Sequence, residues 1–278
     1  MKKLFLLASM VVFLLLACDR SDILNVMTFN IRYANPDDGV NIWDNRKEMA
    51  ARVFGEKSID IAGLQEVLKH QLDDLAKPLS EYQVYGIGRD DGQEAGEFCP
   101  IIFRKERFEL LDKNTFWLSE TPEKPGNLCW NTVCNRVCSW VKLKDKKSGE
   151  VLYFFNTHFS HVSDEARQKS ADMVLTEIAK IADKERIILT GDFNLTMDSD
   201  AYQTIISHSE MKLYDASSVH TFSEYDHTFN GWGKVDPKPV IDYVFVSAGL
   251  KIENYEIYKK EKEGVYISDH YPVIVKIK

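Results

Sequence analysis

Six times in this chain, an apolar run of strand length leads to a residue able to do chemistry. No other feature constrains the fold as much. The clearest case is Ile188-Leu-Thr-Gly-Asp-Phe-Asn194. A short apolar run of this kind reads as a buried strand, and Gly191 permits a tight turn at its end. Residues two apart in extended chain project to the same side, so Asp192 and Asn194 can act together. They would do so at the carboxyl edge of a sheet, where α/β proteins place their sites. Asn30 closes the alternating run from Asn25, Glu66 closes Ile59-Asp-Ile-Ala-Gly-Leu-Gln-Glu-Val67, and His158 follows the strand Val151–Thr157. Asp269 and His270 stand between two strands, around Ile252–Tyr258 and Tyr271–Ile277, and Asp242 sits among the apolar residues of Val240–Val246. Taken singly, a strand-end Asp is usually a turn or cap residue, and a lone His is usually structural. The recurrence is harder to dismiss, because an unpaired buried charge costs several kcal/mol.

Between these runs the spacing changes to that of helices. A helix is expected from about Asp44, burying Met49, Ala50, Val53 and Phe54, and a short one over Lys69–Leu79. After a strand at Tyr82–Gly88, the runs Glu97–Phe103 and Phe108–Leu118 read as two antiparallel strands turning near Lys105. Residues 119–134 form a long loop, of the kind that often carries function. Arg136–Leu143 and Val151–Thr157 form a hairpin. The longest helix begins at Ser163, with Asp164 and Glu165 placed favourably in its first turn and Ala166, Met173, Val174, Ile178 and Ile181 on its apolar face. A further helix is expected around Ser199–Ile206, followed by a loop dense in aromatic and histidine residues. Alternating strands and helices with hairpins in the middle predict one mixed α/β domain, two sheets with helices outside.

The N-terminus belongs to a different reading. Lys2 and Lys3 precede the apolar run Leu4–Ala17, which is too short to span a bilayer as a helix. Leu15-Leu16-Ala17-Cys18 looks like a bacterial lipobox. Residues 1–17 are therefore expected to be a signal peptide, Cys18 a lipidated anchor, 18–23 a short tether and 24–278 the folded domain. The expected location is the periplasmic or cell-surface side of a membrane. Loss of Lys2 and Lys3 takes the net charge from −8 to −10. That acidity does not favour a nucleic-acid partner, which calls for a basic footprint. A monomer is expected. Cys99, Cys129, Cys134 and Cys138 remain; Cys129 and Cys134 are close enough in sequence to pair, while Cys99 and Cys138 read equally well as buried thiols. Their spacing matches no zinc site.

Glu66, Asp269 and the amide oxygen of Asn30 are hard oxygen ligands, suited to Mg²⁺ and also to Mn²⁺ or Ca²⁺. Two histidines and an aspartate near such an ion fit attack of water on a phosphoryl group. No Gly-rich P-loop and no Gly-x-Ser-x-Gly elbow is present, which disfavours an NTPase or a serine hydrolase.

The ordered set Thr-Phe-Asn30, Leu-Gln-Glu66, Asn-Thr-His158, Gly-Asp192-Phe-Asn194, Ile-Asp242-Tyr and Ser-Asp269-His270 resembles the endonuclease/exonuclease/phosphatase superfamily over about residues 24–278. The resemblance implies a four-layer α/β/β/α sandwich. It also implies that Glu66 holds the metal with Asn30 and Asp269, and that Asp192 orients or deprotonates water with Asn194 beside it. His270, its ring fixed by Asp242, would contact the phosphate, and His158 would stabilise it or protonate the leaving group. In one branch that histidine leans on a glutamate, for which Glu97 is the candidate, and Arg136 stands where some members place a phosphate-binding arginine. Phe116-Trp-Leu-Ser-Glu-Thr-Pro122 and Asn156-Thr-His-Phe-Ser-His161 look like an exported bacterial branch, in which His161 and Arg167 would either line the pocket or belong to a capped helix start. The activity implied is metal-dependent hydrolysis of a phosphodiester, a phospholipid or a phosphomonoester. Two alternatives stand beside it: an extracytoplasmic nuclease, and a non-catalytic binding lipoprotein on the same scaffold.

Overall fold

A computed structural model describes residues 23–182, 185–236 and 239–278; the expected signal peptide and Cys18 lie outside them. The chain forms β1 (Leu24–Asn30), α1 (Trp43–Glu56), β2 (Ile61–Gln65), α2 (Lys69–Ala76), β3 (Tyr82–Tyr85) and β4 (Ile101–Arg104). It continues through β5 (Phe108–Trp117), β6 (Val137–Asp145), β7 (Val151–His158), α3 (Asp164–Ala182), β8 (Arg186–Asp192) and α4 (Asp200–Ser207). The last third holds β9 (Leu213–Asp215), β10 (Asp242–Ser247), β11 (Ile252–Ile257), the small pair β12 (Glu261–Lys262) and β13 (Val265–Tyr266), and β14 (Val273–Ile277).

Two six-stranded mixed sheets result, in the orders β11-β14-β1-β2-β4-β3 and β5-β6-β7-β8-β10-β9. The period-2 pattern of the strands explains how they stack. In β1, Val26 points into a cluster shared with the other sheet, whereas Met27 and Phe29 pack with Ala50, Val53 and Phe54 of α1. In β8, Ile188 faces between the sheets, while Ile187 and Leu189 meet Val174, Leu175 and Ile178 of α3. Val244 and Val246 of β10 go inward, and Tyr243 and Phe245 go out toward α3 and α4. Three apolar layers therefore separate four layers of structure, giving the expected sandwich. Because both faces of the central strands are buried, their sequences read as nearly continuous apolar runs.

Three local expectations change. The runs around Lys105 are not a hairpin: β4 pairs with β2 and β3, whereas β5 pairs with β6 in the opposite sheet. Gly191 does not turn the chain. It lies within β8, where an added Cβ would sit 2.6 Å from the Thr157 carbonyl, so it serves close strand packing. Cys129 and Cys134 do not pair, and all four described cysteines are free thiols.

Polar groups cross the inter-sheet layer at one level. Gln65 Nε2 donates to Asn156 Oδ1 at 2.6 Å, and Asn156 Nδ2 donates to the Leu64 carbonyl at 2.7 Å. A second buried group is Arg107, held by Asp60 at 2.7 Å and Asp145 at 2.9 Å. Removing one partner of such a buried pair costs about 3–5 kcal/mol.

Candidate active site

Strand register assembles the site. Parallel pairing of β7 with β8 sets His158 beside Asp192, and antiparallel pairing of β10 with β8 sets Asp242 on its other side. In the other sheet, parallel β1 and β2 align Asn30 with Gln65, which leaves Glu66 one residue beyond. Asp269 and His270 precede β14, where His270 bridges to Phe229. Asn30 joins the two halves: its Nδ2 donates to Glu66 Oε1 at 3.0 Å and to Asp192 Oδ2 at 2.9 Å. The residues surround a cleft of about 380 Å³. Grooves of about 640 Å³ lie elsewhere, beside α1 and α2 and near the chain terminus at Lys278, but they lack the strand-end acids, and chemistry rather than size locates the site.

Backbone conformation helps to aim these side chains. Arg32, Glu66 and Asn194 all have left-handed φ, at 58°, 59° and 51°. For an ordinary side chain this costs about 1 kcal/mol or more and persists where the surroundings enforce it. Arg46 enforces it at Arg32. It is fully buried and donates to the carbonyls of Ile31, of Asn41 at 2.8 Å and of Arg32 at 2.8 Å. The Tyr33 amide then donates to Glu66 Oε2 at 3.2 Å.

Asp192 is the most constrained acid. Its Oδ1 accepts from the Asn194 amide at 3.0 Å, and its Oδ2 lies 3.4 Å from His158 Nε2 and 3.7 Å from His270 Nε2. Burial, followed by the charge of Asp242, raises its pKa to about 7. Burial alone would depress His270, but Asp242 at 2.9 Å from Nδ1, together with Asp192, outweighs it and holds the imidazolium at about 10. Burial and then Arg136 push His158 well down, so it is neutral. Its Nε2 faces the Asn194 amide nitrogen at 3.0 Å.

The donor set suits a hard divalent cation. Glu66, His158 and Asp192 each offer an atom within 4.8 Å of the others. Asp192, Asp242 and His270 are equally close, but there His270 Nδ1 is bound to Asp242, which makes them a carboxylate–imidazole pair rather than a ligand set. Glu66 stays ionised: burial works against the charge, but the Asn30 amide, His270 and Arg32 more than offset it. Asp269 reaches the same cleft, and Arg32 Nη1 and Nε lie 3.7 Å from Glu66 and 3.8 Å from Asp269. Asn30 differs from expectation. Its Oδ1 accepts the Arg32 amide at 2.9 Å and its NH₂ faces the acids, so here it positions carboxylates instead of offering an oxygen.

Arg136 and His161 both line the cleft, with Arg136 Nη2 donating to His161 Nδ1 at 3.0 Å. Two other expectations are corrected. Glu97 does not support His158, whose Nδ1 has no partner; it pairs with Arg89 at 2.5 Å, because a full cation outcompetes a neutral imidazole. Arg167 is not in the cleft. It donates to the Ser160 carbonyl at 2.7 Å and pairs with Asp164, bracing the start of α3. Tyr33 also lines the cleft, and Arg32, Arg89 and Phe229 line it without having been foreseen. The cluster of glycines around residue 89 was the one available signal for Arg89. Trp117 fixes that loop by donating to the Arg89 carbonyl at 2.7 Å.

A profile described as the Endonuclease/Exonuclease/phosphatase family matches residues 27–270. The chain belongs to this family. Its members hydrolyse phosphoester bonds. An endonuclease/exonuclease/phosphatase from Bacteroides vulgatus is 39% identical, with a TM-score of 0.87 over 92% of this chain and 98% of that one. The Bacteroides thetaiotaomicron mannosyl-6-phosphatase Bt3783 is 33% identical, with a TM-score of 0.83 over 92% of this chain and 99% of that one. The human Nocturnin catalytic domain, at 22% identity and a TM-score of 0.75 over 92% of this chain and 93% of that one, shares the fold. Two curated relatives are longer. The chain spans 37% of the uncharacterized protein R895 of Acanthamoeba polyphaga mimivirus (22% identity, 79% of this chain) and 26% of the Saccharomyces cerevisiae RNA exonuclease NGL1 (29% identity, 28% of this chain).

Proposed function

We propose that this family member is a divalent-metal-dependent hydrolase of a small-molecule phosphate ester, with a sugar phosphate as the leading substrate class. The observation that carries the reading is the setting of Asp192: a buried carboxylate with a pKa near 7, fixed by two amide donors between a neutral and a cationic imidazole. Such a group can accept a proton from water at neutral pH. His270, an imidazolium locked by Asp242, donates to a phosphate oxygen. Asn194 and neutral His158 hold the opposite side, where an attacking water or leaving oxygen needs a hydrogen-bond partner. Glu66 and Asp269 would hold the cation, with Mg²⁺ first and Mn²⁺ or Ca²⁺ next. When bound, it supplies neutralisation of the phosphate charge.

The 33% identical mannosyl-6-phosphatase and the modest cleft volume favour a small ester. The nuclease reading has less behind it: the match to the RNA exonuclease covers 28% of this chain, and the net charge is −8. A binding protein without catalysis is disfavoured by a site whose acids and imidazoles are arranged to move a proton.

A panel decides among these. Mannose 6-phosphate, other sugar phosphates, p-nitrophenyl phosphate, bis-p-nitrophenyl phosphate, DNA and RNA would be assayed with Mg²⁺ and with EDTA. Metal-dependent turnover of small esters, with sugar phosphates preferred, is expected. Turnover confined to DNA or RNA would favour the nuclease, and no turnover on the panel would refute the hydrolase reading.

A further inference from the structure

Arg136 is a buried cation of the cleft that feels the charge of Glu97, an acid already paired with Arg89. It is 6% exposed, and its Nε and Nη1 are buried without a hydrogen-bond partner. Among the ion pairs of the described residues, none involves Arg136; its side-chain hydrogen bond is Nη2 to His161 Nδ1. Leaving charged donors unsatisfied in this way is costly, and a folded protein tolerates it where a ligand completes them. A second such donor lines the same cleft: Arg89 pairs with Glu97 through Nη1, but its Nε is buried and unpartnered. A guanidinium only donates, so the bond from Arg136 makes His161 Nδ1 an acceptor and leaves the ring proton on Nε2. His161 is exposed and lines the cleft, where that N–H is a further donor. Acids and cations thus line one cleft: Glu66, Asp192 and Asp269 together with Arg89, Arg136 and His161.

We propose that Arg136, aimed by His161 and backed by Arg89, takes the terminal oxygens of a phosphomonoester and makes the cleft select monoesters over diesters. Arg136 is then a specificity-determining residue. A planar guanidinium offers paired donors that match two phosphate oxygens. A dianionic monoester has such oxygens to spare after engaging His270 and the acid-bound cation. A diester has replaced one with an ester oxygen, carries one charge less, and must fit a second alcohol into about 380 Å³.

This rests on the hydrolase reading above, and the test separates the two. Values of kcat/KM for p-nitrophenyl phosphate and bis-p-nitrophenyl phosphate would be measured with Mg²⁺ for the full chain, Arg136→Gln, Arg136→Lys and His161→Ala. Binding of inorganic phosphate would be measured alongside by calorimetry. The wild type should prefer the monoester. Arg136→Gln should lower monoester kcat/KM about 10- to 100-fold, the loss of a charged hydrogen-bond pair, while diester turnover falls less than about threefold. Arg136→Lys, which keeps the charge and loses the fork, should fall between. Should Arg136→Gln fail to fold, the exposed His161→Ala carries the test, with about a threefold to tenfold loss on the monoester alone. Equal losses on both esters, or a wild type that prefers the diester, would overturn the proposal. A wild type active on neither these esters nor the rest of the panel refutes the hydrolase reading; phosphate binding then judges the subsite, and equal affinity of wild type and Arg136→Gln overturns it.

Discussion

At the scale of single residues, His270 shows how a strand-end histidine becomes a specific chemical state. Its Nδ1 meets Asp242 and its Nε2 faces Asp192, and together they hold its pKa at about 10 against the ordinary 6.5 despite burial. Because the folded value lies above the unfolded one, the stabilisation is fully present below pH 6.5 and is lost as pH rises through about 10. NMR of the metal-free protein should show this imidazole still protonated at pH 8, and Asp242→Asn should bring its titration down toward neutrality. A His270 that titrates at its ordinary value in the folded wild type would contradict the pairing. The residues alone marked Asp242, Asp269 and His270 as polar groups needing partners, and it was the family resemblance that implied the pairing of His270 with Asp242. The pairing of Glu97 was not legible, because nothing in the local sequence says that Arg89 reaches Glu97 before His158 does. Arg32 was also hidden: it depends on a left-handed backbone that Arg46 enforces from a helix fourteen residues on.

At the scale of elements, period-2 and helical spacings located most strands and the four α-helices of the described residues, since each strand must supply one apolar face to a helix layer and one to the sheet opposite. Pairing was less legible. Two strands joined by a three-residue connection look like a hairpin, yet β4 and β5 lie in different sheets because the connection passes from one to the other. Strands of two or three residues, such as β9 and β12, have too few positions to show a period. Close approach between sheets is equally silent in sequence. An added Cβ at Gly63 would meet Asn156 Oδ1 and Thr190 Oγ1 at 2.3 Å each, in the polar layer beneath the site. Gly63→Ala should therefore destabilise the fold by about 1–3 kcal/mol in denaturant unfolding. An unchanged unfolding midpoint would show that the layer can adjust without cost.

For the whole molecule, the decisive arrangement is two sheets whose ends meet at one cleft, with Asn30 of one sheet holding Asp192 of the other. The order of polar strand ends made the family and the four-layer fold legible, because that order follows from the topology that brings the strands together. The substrate was not legible: Arg89 and Arg136, which we propose take part in selecting it, are brought to one cleft only by tertiary structure. The central claim is that Asp192 works as the proton-accepting acid of a hydrolytic centre. Its most direct test is kcat/KM of Asp192→Asn on the best ester of the panel, with Mg²⁺ present and folding verified by thermal unfolding. A loss of about 10²- to 10⁴-fold in a folded protein is predicted. An Asp192→Asn protein that keeps more than about a tenth of wild-type activity would contradict it.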